Sequence, residues 1–242
     1  MRRLFLDIPL MDNFTITGDD AKHLLYSMRV RPEQEFTVVD KNGKVAQAKV
    51  VTCTADTVKM NFLHYIDNAD TEPPLDVVLA QCLPKGDKME YIVQKAVELG
   101  VKDIVPVISK YCVVKYDAKK KLQRQQKWQK IADEAAKQCG RTIKPEVAEI
   151  IDLKQLVEKY NDYTCLVCYE AEDKLSIKEA LSKINSTKYL ILIGPEGGLS
   201  QEEVAFCKEK NFISVSLGKR ILRTETASLA MLSILMYEKN GL

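Results

Sequence analysis

The chain has 242 residues, 46% of them hydrophobic, with 36 Lys and Arg against 34 Asp and Glu for a net charge of +2. That length suits one large domain or two small ones, and the apolar share is enough to bury a core. No apolar run reaches the ~18 residues of a membrane span, and Met1-Arg2-Arg3-Leu4-Phe5-Leu6-Asp7 lacks the long apolar stretch of a secretory signal. A cytoplasmic protein away from membranes is expected.

The first third reads as strands. Glu35-Phe-Thr-Val-Val39 leads into Asp40-Lys41-Asn42-Gly43, where Asn-Gly supplies the positive φ angles of a hairpin. Lys44–Cys53 and Thr57–Tyr65 continue with partial alternation. The polar stretch 68–72 before Pro73-Pro74 is the best linker, which predicts domains at 1–72 and 73–242.

Beyond the prolines the pattern changes. Asp76-Val-Val-Leu-Ala-Gln-Cys-Leu83 is a continuous apolar run of the kind buried in parallel sheets. A helix should follow, opened by Asp87 as N-cap with Glu90 completing a capping box, and closed by Gly100. Strands are expected at 104–108, 164–169, 189–193 and 213–217, with helices over 122–138 and 176–184 between them. Alternating strands and helices mean an α/β domain with a mostly parallel sheet. The last helix should bury a stripe of Ala227, Ala230, Met231, Ile234 and Leu235.

Seven scattered cysteines do not make a disulfide scaffold. Cys165 and Cys168 form a CxxC, but inside a strand residues three apart face opposite sides, and the chain has only two histidines. Buried free thiols are expected, and no metal site. Residues 110–144 carry eleven basic and three acidic side chains, a local charge of +8. A solvated helix face accounts for such a run, and so does a polyanion partner.

In open parallel sheets ligands bind beyond the carboxyl ends of strands. Two loops there stand out. Ile193-Gly194-Pro195-Glu196-Gly197-Gly198-Leu199-Ser200 leaves a strand with three glycines in five residues, and Ser200 with Glu203 caps the next helix. It lacks the Lys-Ser/Thr of a P-loop, and its acid argues against a phosphate cradle. The second, Leu217-Gly218-Lys219-Arg220-Ile221-Leu222-Arg223-Thr224-Glu225-Thr226-Ala227, sets Arg223 just before a helix N-terminus, where the dipole disfavours a cation. Either Glu225 compensates Arg223 locally, or Arg223 awaits an anionic ligand.

Taken together the two loops resemble the SPOUT superfamily of RNA methyltransferases. They are most similar to the bacterial family that methylates N3 of a uridine in small-subunit (16S) ribosomal RNA. Gln81-Cys-Leu-Pro-Lys-Gly-Asp-Lys-Met-Glu90, Gln138-Cys-Gly-Arg141 with Pro145, and His23-Leu24 with Met28-Arg29 resemble that family's segments too. Glu33-Gln34 departs from it, since the family usually has Gly-Asp there.

The resemblance implies a trefoil-knotted α/β methyltransferase domain behind a small PUA-like β-barrel that binds RNA. It implies a homodimer whose last helix joins the interface. S-adenosylmethionine would lie among Glu170, Ile193, Gly194, Pro195, Glu196, Gly197, Gly198, Leu217, Gly218, Ile221, Leu222, Thr226 and Ala227. Ile193, Leu217, Ile221 and Leu222 would wall the adenosyl group, and Gly197→Val would fill its space. Arg223 would be catalytic, and Arg2, Arg3, His23, Arg29, Lys85 and Arg141 would contact rRNA. Related enzymes share the first loop, so another tRNA or rRNA base, a ribose 2′-O, or a non-catalytic RNA-binding dimer stay open.

Overall fold

The carboxyl ends of three adjacent parallel strands frame the cavity described below, and the fold follows from how those strands are made. The computed structural model describes residues 3–67 and 71–242. Backbone proximity groups Met1–Glu72 with Ala136–Ile143, and Pro73–Ala135 with Lys144–Leu242. Nothing in the sequence sets 136–143 apart from the C-terminal region, yet it belongs with the N-terminal unit.

The N-terminal unit contains β1 (Leu4–Phe5), β2 (Asn13–Ile16), α1 (Gly18–Lys22), a π-helical turn (His23–Ser27), β3 (Glu35–Val39), β4 (Val45–Cys53) and β5 (Val58–Tyr65). The strands form one sheet in the order β1-β3-β4-β5-β2, antiparallel except for β1 beside β3. Its core gathers Phe14, Ile16, Leu24, Val38, Ala46, Val50 and Met60. The Asn42-Gly43 hairpin forms as expected, with Gly43 at φ 78°. The turn at Arg31–Gln34 puts Pro32 first and Glu33 at φ 72°, a type II arrangement that favours glycine at the second position. Glu33 therefore holds, under strain, the conformation that a glycine adopts freely.

The C-terminal unit runs β6 (Asp76–Cys82), α2 (Lys88–Glu98), β7 (Asp103–Ile108), α3 (Ala118–Cys139, its last turn in the other unit), β8 (Glu146–Val147), β9 (Ile151–Asp152) and α4 (Leu153–Lys159). It continues with β10 (Thr164–Cys168), α5 (Ile177–Lys183), β11 (Lys188–Ile193), α6 (Gln201–Glu209), β12 (Ile213–Val215) and α7 (Thr224–Glu238). The sheet is parallel throughout, ordered β12-β10-β11-β6-β7-β8, with β9 also on β7. Six of the seven β6 residues are buried, as the unbroken apolar run requires of a strand covered on both faces.

Some local expectations fail. Asp87 makes no side-chain cap on α2, and Glu90 turns instead to Arg124 and Lys127 of α3. Gly100, at φ 87°, does end α2, with Val101 N–H reaching the Ala96 carbonyl. The α7 stripe is rotated: Thr224, Ser228, Met231, Leu232, Leu235 and Met236 are buried, while Ala227, Ala230 and Ile234 are half-buried. Two polar residues enter the buried face because they have partners there. The basic run is partly spent on Glu90, on Glu202 (by Lys110) and, within the N-terminal unit, on Asp20 (by Lys137).

Candidate active site

β12, β10 and β11 end level with one another, Cys168 lying in register with both Ile193 and Val215. The chain that leaves each end, at Cys168–Glu170, Ile193–Gly198 and Ser216–Thr224, lines a cavity of about 530 Å³. That volume lies within the ~300–1,000 Å³ of small-molecule sites. Lys88 and Ala227 complete the lining.

The two loops are joined by a buried polar network. Thr224 Oγ1 donates to the Gly194 carbonyl at 2.7 Å, and Gln81 Nε2 donates to Thr224 Oγ1 at 2.9 Å. Ser228 Oγ lies between Gln81 Oε1 and the Thr224 carbonyl. Gln81 and Ser228 are fully buried, so each group depends on the others for its hydrogen bonds. Sequence reasoning missed all three residues; a lone Gln in the apolar β6 run was the one signal.

A second link is electrostatic. Lys88 Nζ stands 2.9 Å from Glu196 of the first loop and 3.3 Å from Glu225 of α7. The Lys85 N–H donates to both Glu196 carboxylate oxygens, at 3.1 and 3.3 Å. Burial pushes the Glu196 carboxyl upward, but Lys88 and these N–H groups outweigh it and hold it below the usual range. Glu225 is thus engaged by Lys88, and among the described residues Arg223 has no acidic partner. The local compensation of Arg223 by Glu225 does not occur. Arg223 is exposed at the cavity wall, with the extended backbone of an N-cap.

Each glycine of the first loop serves a different contact. A Cβ on Gly194 would lie 3.1 Å from the backbone of Gly198, so the loop closes backbone to backbone. One on Gly198, at φ 69°, would come within 2.1 Å of a Glu170 carboxylate oxygen. One on Gly197 points at Tyr111, 3.0 Å away, so the Gly197→Val expectation is corrected: the added side chain meets Tyr111, not the adenosyl space. Ser200 and Glu203 form the expected capping box.

The structure brings Glu170, Ile193, Gly194, Pro195, Glu196, Gly197, Gly198, Leu217, Gly218, Ile221, Leu222, Arg223 and Ala227 to one lining. Thr226 is not among them; one helical step past Glu225 turns it outward, and it is exposed. Ile221 is 86% exposed, so it sits at the rim and is no apolar wall. Lys88, Cys168 and Ser216 were not anticipated there, while Tyr169, Lys219, Arg220 and Thr224 lie in or beside the expected loops. Burial pushes the Cys168 thiol up to about 12, which keeps it protonated and unreactive at neutral pH.

The residues expected to touch RNA scatter. Arg141 is 5% exposed and pairs with Glu72, Nε to Oε2 at 3.0 Å, while Thr142 and Ile143 donate their N–H groups to the same carboxylate. That expectation is corrected: a buried arginine paired with a carboxylate is closed off from an RNA phosphate. Burial opposes ionisation of Glu72, but Arg141 and the N–H donors prevail and hold its carboxyl low. Lys85 is exposed, and its backbone, not its side chain, joins the site. His23 is half-buried at the start of the π-helical turn, and Arg29 is exposed at φ 51°. Arg3 is half-buried and lines a smaller cavity of about 350 Å³ in the N-terminal unit. Arg2 lies outside the described residues.

A profile of RNA methyltransferase domains matches residues 71–236, and one of RNA methyltransferase PUA domains matches 16–59. The chain belongs to this RNA methyltransferase family. It is 35% identical to the ribosomal RNA small subunit methyltransferase E of Bacillus subtilis, over 98% of this chain and 97% of that one. A protein of the same name from Neisseria gonorrhoeae, crystallised with S-adenosylmethionine, shares 33% identity with a TM-score of 0.87 over 98% and 97% of the two chains. A methyltransferase from Legionella pneumophila with bound S-adenosylmethionine shares 29% identity, with a TM-score of 0.89 over 97% and 96%. The N-terminal sheet is accordingly PUA-like, and the parallel sheet is that of an α/β methyltransferase.

The lining suits such a cofactor. An adenosyl group needs apolar walls and open backbone more than countercharge. Ile193, Leu217 and Leu222 supply the walls, and Gly194, Gly198 and Gly218 bring bare backbone to the lining.

Proposed function

We propose that this chain transfers the methyl group of S-adenosylmethionine to N3 of a uridine in small-subunit ribosomal RNA. We further propose that it does so in the cytoplasm as a homodimer whose C-terminal unit is a trefoil knot. The observation that carries this is the single lining made by three consecutive strand ends, with Arg223 exposed on it and, among the described residues, without an acidic partner. The names of its relatives support the choice of RNA. The half-buried Ala230 and Ile234 with exposed Tyr237 form a second apolar strip on α7, which supports a partner chain there.

The bound cofactor supplies an activated methyl group on a sulfonium. What this chain contributes is position and charge. The Gly194–Gly198 loop and Leu217–Leu222 fix the cofactor from two sides, and in-line placement of this kind is worth up to ~7–11 kcal/mol. N3 lies on the Watson–Crick edge, so the base must leave its helix before it can react. As the N3 proton passes to solvent, negative charge grows on the uracil, and the Arg223 guanidinium is the cation placed to stabilise it. Free lysines at the start of α3, Lys119 and Lys120, and Arg29 in the other unit are exposed for phosphate contact.

Mass spectrometry of 16S rRNA from a strain lacking the gene tests this. N3-methyluridine should vanish, return with the wild-type gene, and fail to return with Arg223→Ala. An unchanged N3-methyluridine level would refute the assignment.

A further inference from the structure

Two carboxylates line the cavity, and they are treated differently. Glu196 is neutralised by Lys88 at 2.9 Å and by the Lys85 N–H. Glu170, exposed at the end of β10, reaches over Gly198 so closely that a Cβ there would lie 2.1 Å from its oxygen. Among the described residues no Lys, Arg or His pairs with Glu170. One side of the cavity therefore presents an uncompensated negative charge, beside the bare backbone of a glycine in the left-handed region.

The methyl donor and its spent product differ in charge. S-adenosylmethionine carries a sulfonium and an ammonium against one carboxylate, a net positive ion. S-adenosylhomocysteine has a neutral thioether and no net charge. A carboxylate facing the cavity favours the first over the second, because a binding site discriminates by the interaction that one ligand makes and the other lacks. We propose that Glu170 is the specificity residue that favours the cationic donor over the neutral product, and so lets the product leave. This rests on the cofactor reading above and goes beyond it by assigning one side chain to one charge.

Calorimetric titration with S-adenosylmethionine and S-adenosylhomocysteine separately, on wild type, Glu170→Gln and Glu170→Asp, tests it. Glu170→Gln should weaken donor binding about threefold to fivefold at low salt and leave product binding nearly unchanged, the upper range for one solvated charge pair. Glu170→Asp should keep most of the preference. On wild type alone, raising salt from low to physiological strength should weaken donor binding more than product binding. Parallel loss for both ligands would make Glu170 a mere prop for Gly198, and no change in either would free it of any role; both overturn the inference. Wild type that binds neither ligand would instead sink the cofactor assignment itself.

Discussion

The two loops that frame the cavity are built on opposite principles. Gly194–Leu199 is tied down along its length: Gly194 packs on the Gly198 backbone and accepts from Thr224, Gly197 and Gly198 lie against Tyr111 and Glu170, Glu196 is gripped by Lys88, and Ser200 caps α6. Leu217–Arg223 is loose by comparison, with Ile221 almost fully exposed, Arg223 without an acid among the described residues, and open space around Gly218. The first loop has the form of a fixed mould for a ligand. The second presents Lys219, Arg220 and Arg223 outward.

That contrast predicts unequal sensitivity to the same small change. Gly198→Ala should weaken S-adenosylmethionine binding about tenfold, since it adds left-handed strain of ~1–2 kcal/mol and displaces the Glu170 carboxylate that overhangs it. Gly218→Ala, strained at φ 114° but with nothing within 4 Å, should weaken it less in the same calorimetric titration. Equal loss in both would erase the distinction.

Next in size is Thr224→Val. It strands the Gln81 amide and the Gly194 carbonyl, and should cost about 1–3 kcal/mol in urea unfolding. Lys88→Met should cost under about 1 kcal/mol, as partly exposed pairs do, while weakening cofactor binding a few-fold as the loop relaxes. Its pH dependence has a fixed sign. The Glu196 carboxyl titrates lower in the folded chain than its ordinary 4.5, so its contribution is present above that pH and fades as acid protonates it. Wild type should lose more stability than Lys88→Met between about pH 5 and 3.

The smallest effect lies in the other unit. Glu33→Gly should raise stability by up to about 1 kcal/mol, by relieving φ 72° at the cost of an exposed pair with Lys49.

How much of this was legible in the chain follows from the range of the interactions. The buried strands, the Asn42-Gly43 hairpin, the Ser200–Glu203 cap and both loops are signals within about ten residues, and each could be read directly. The bond from Gln81 to Thr224 spans 143 positions, and Glu225 turns to Lys88 rather than to its neighbour Arg223. No local pattern reports either. Arg141 misled for the same reason, since its partner Glu72 lies 69 residues away. The two-residue strands β1, β8 and β9 are too short for any periodicity to show.

Crystals of the protein grown with S-adenosylmethionine offer the most direct test. The adenosyl group should appear between Gly194–Gly198 and Leu217–Leu222, with its sulfonium side towards Glu170. Density for the ligand anywhere else, or an empty cavity at millimolar ligand, would contradict the account.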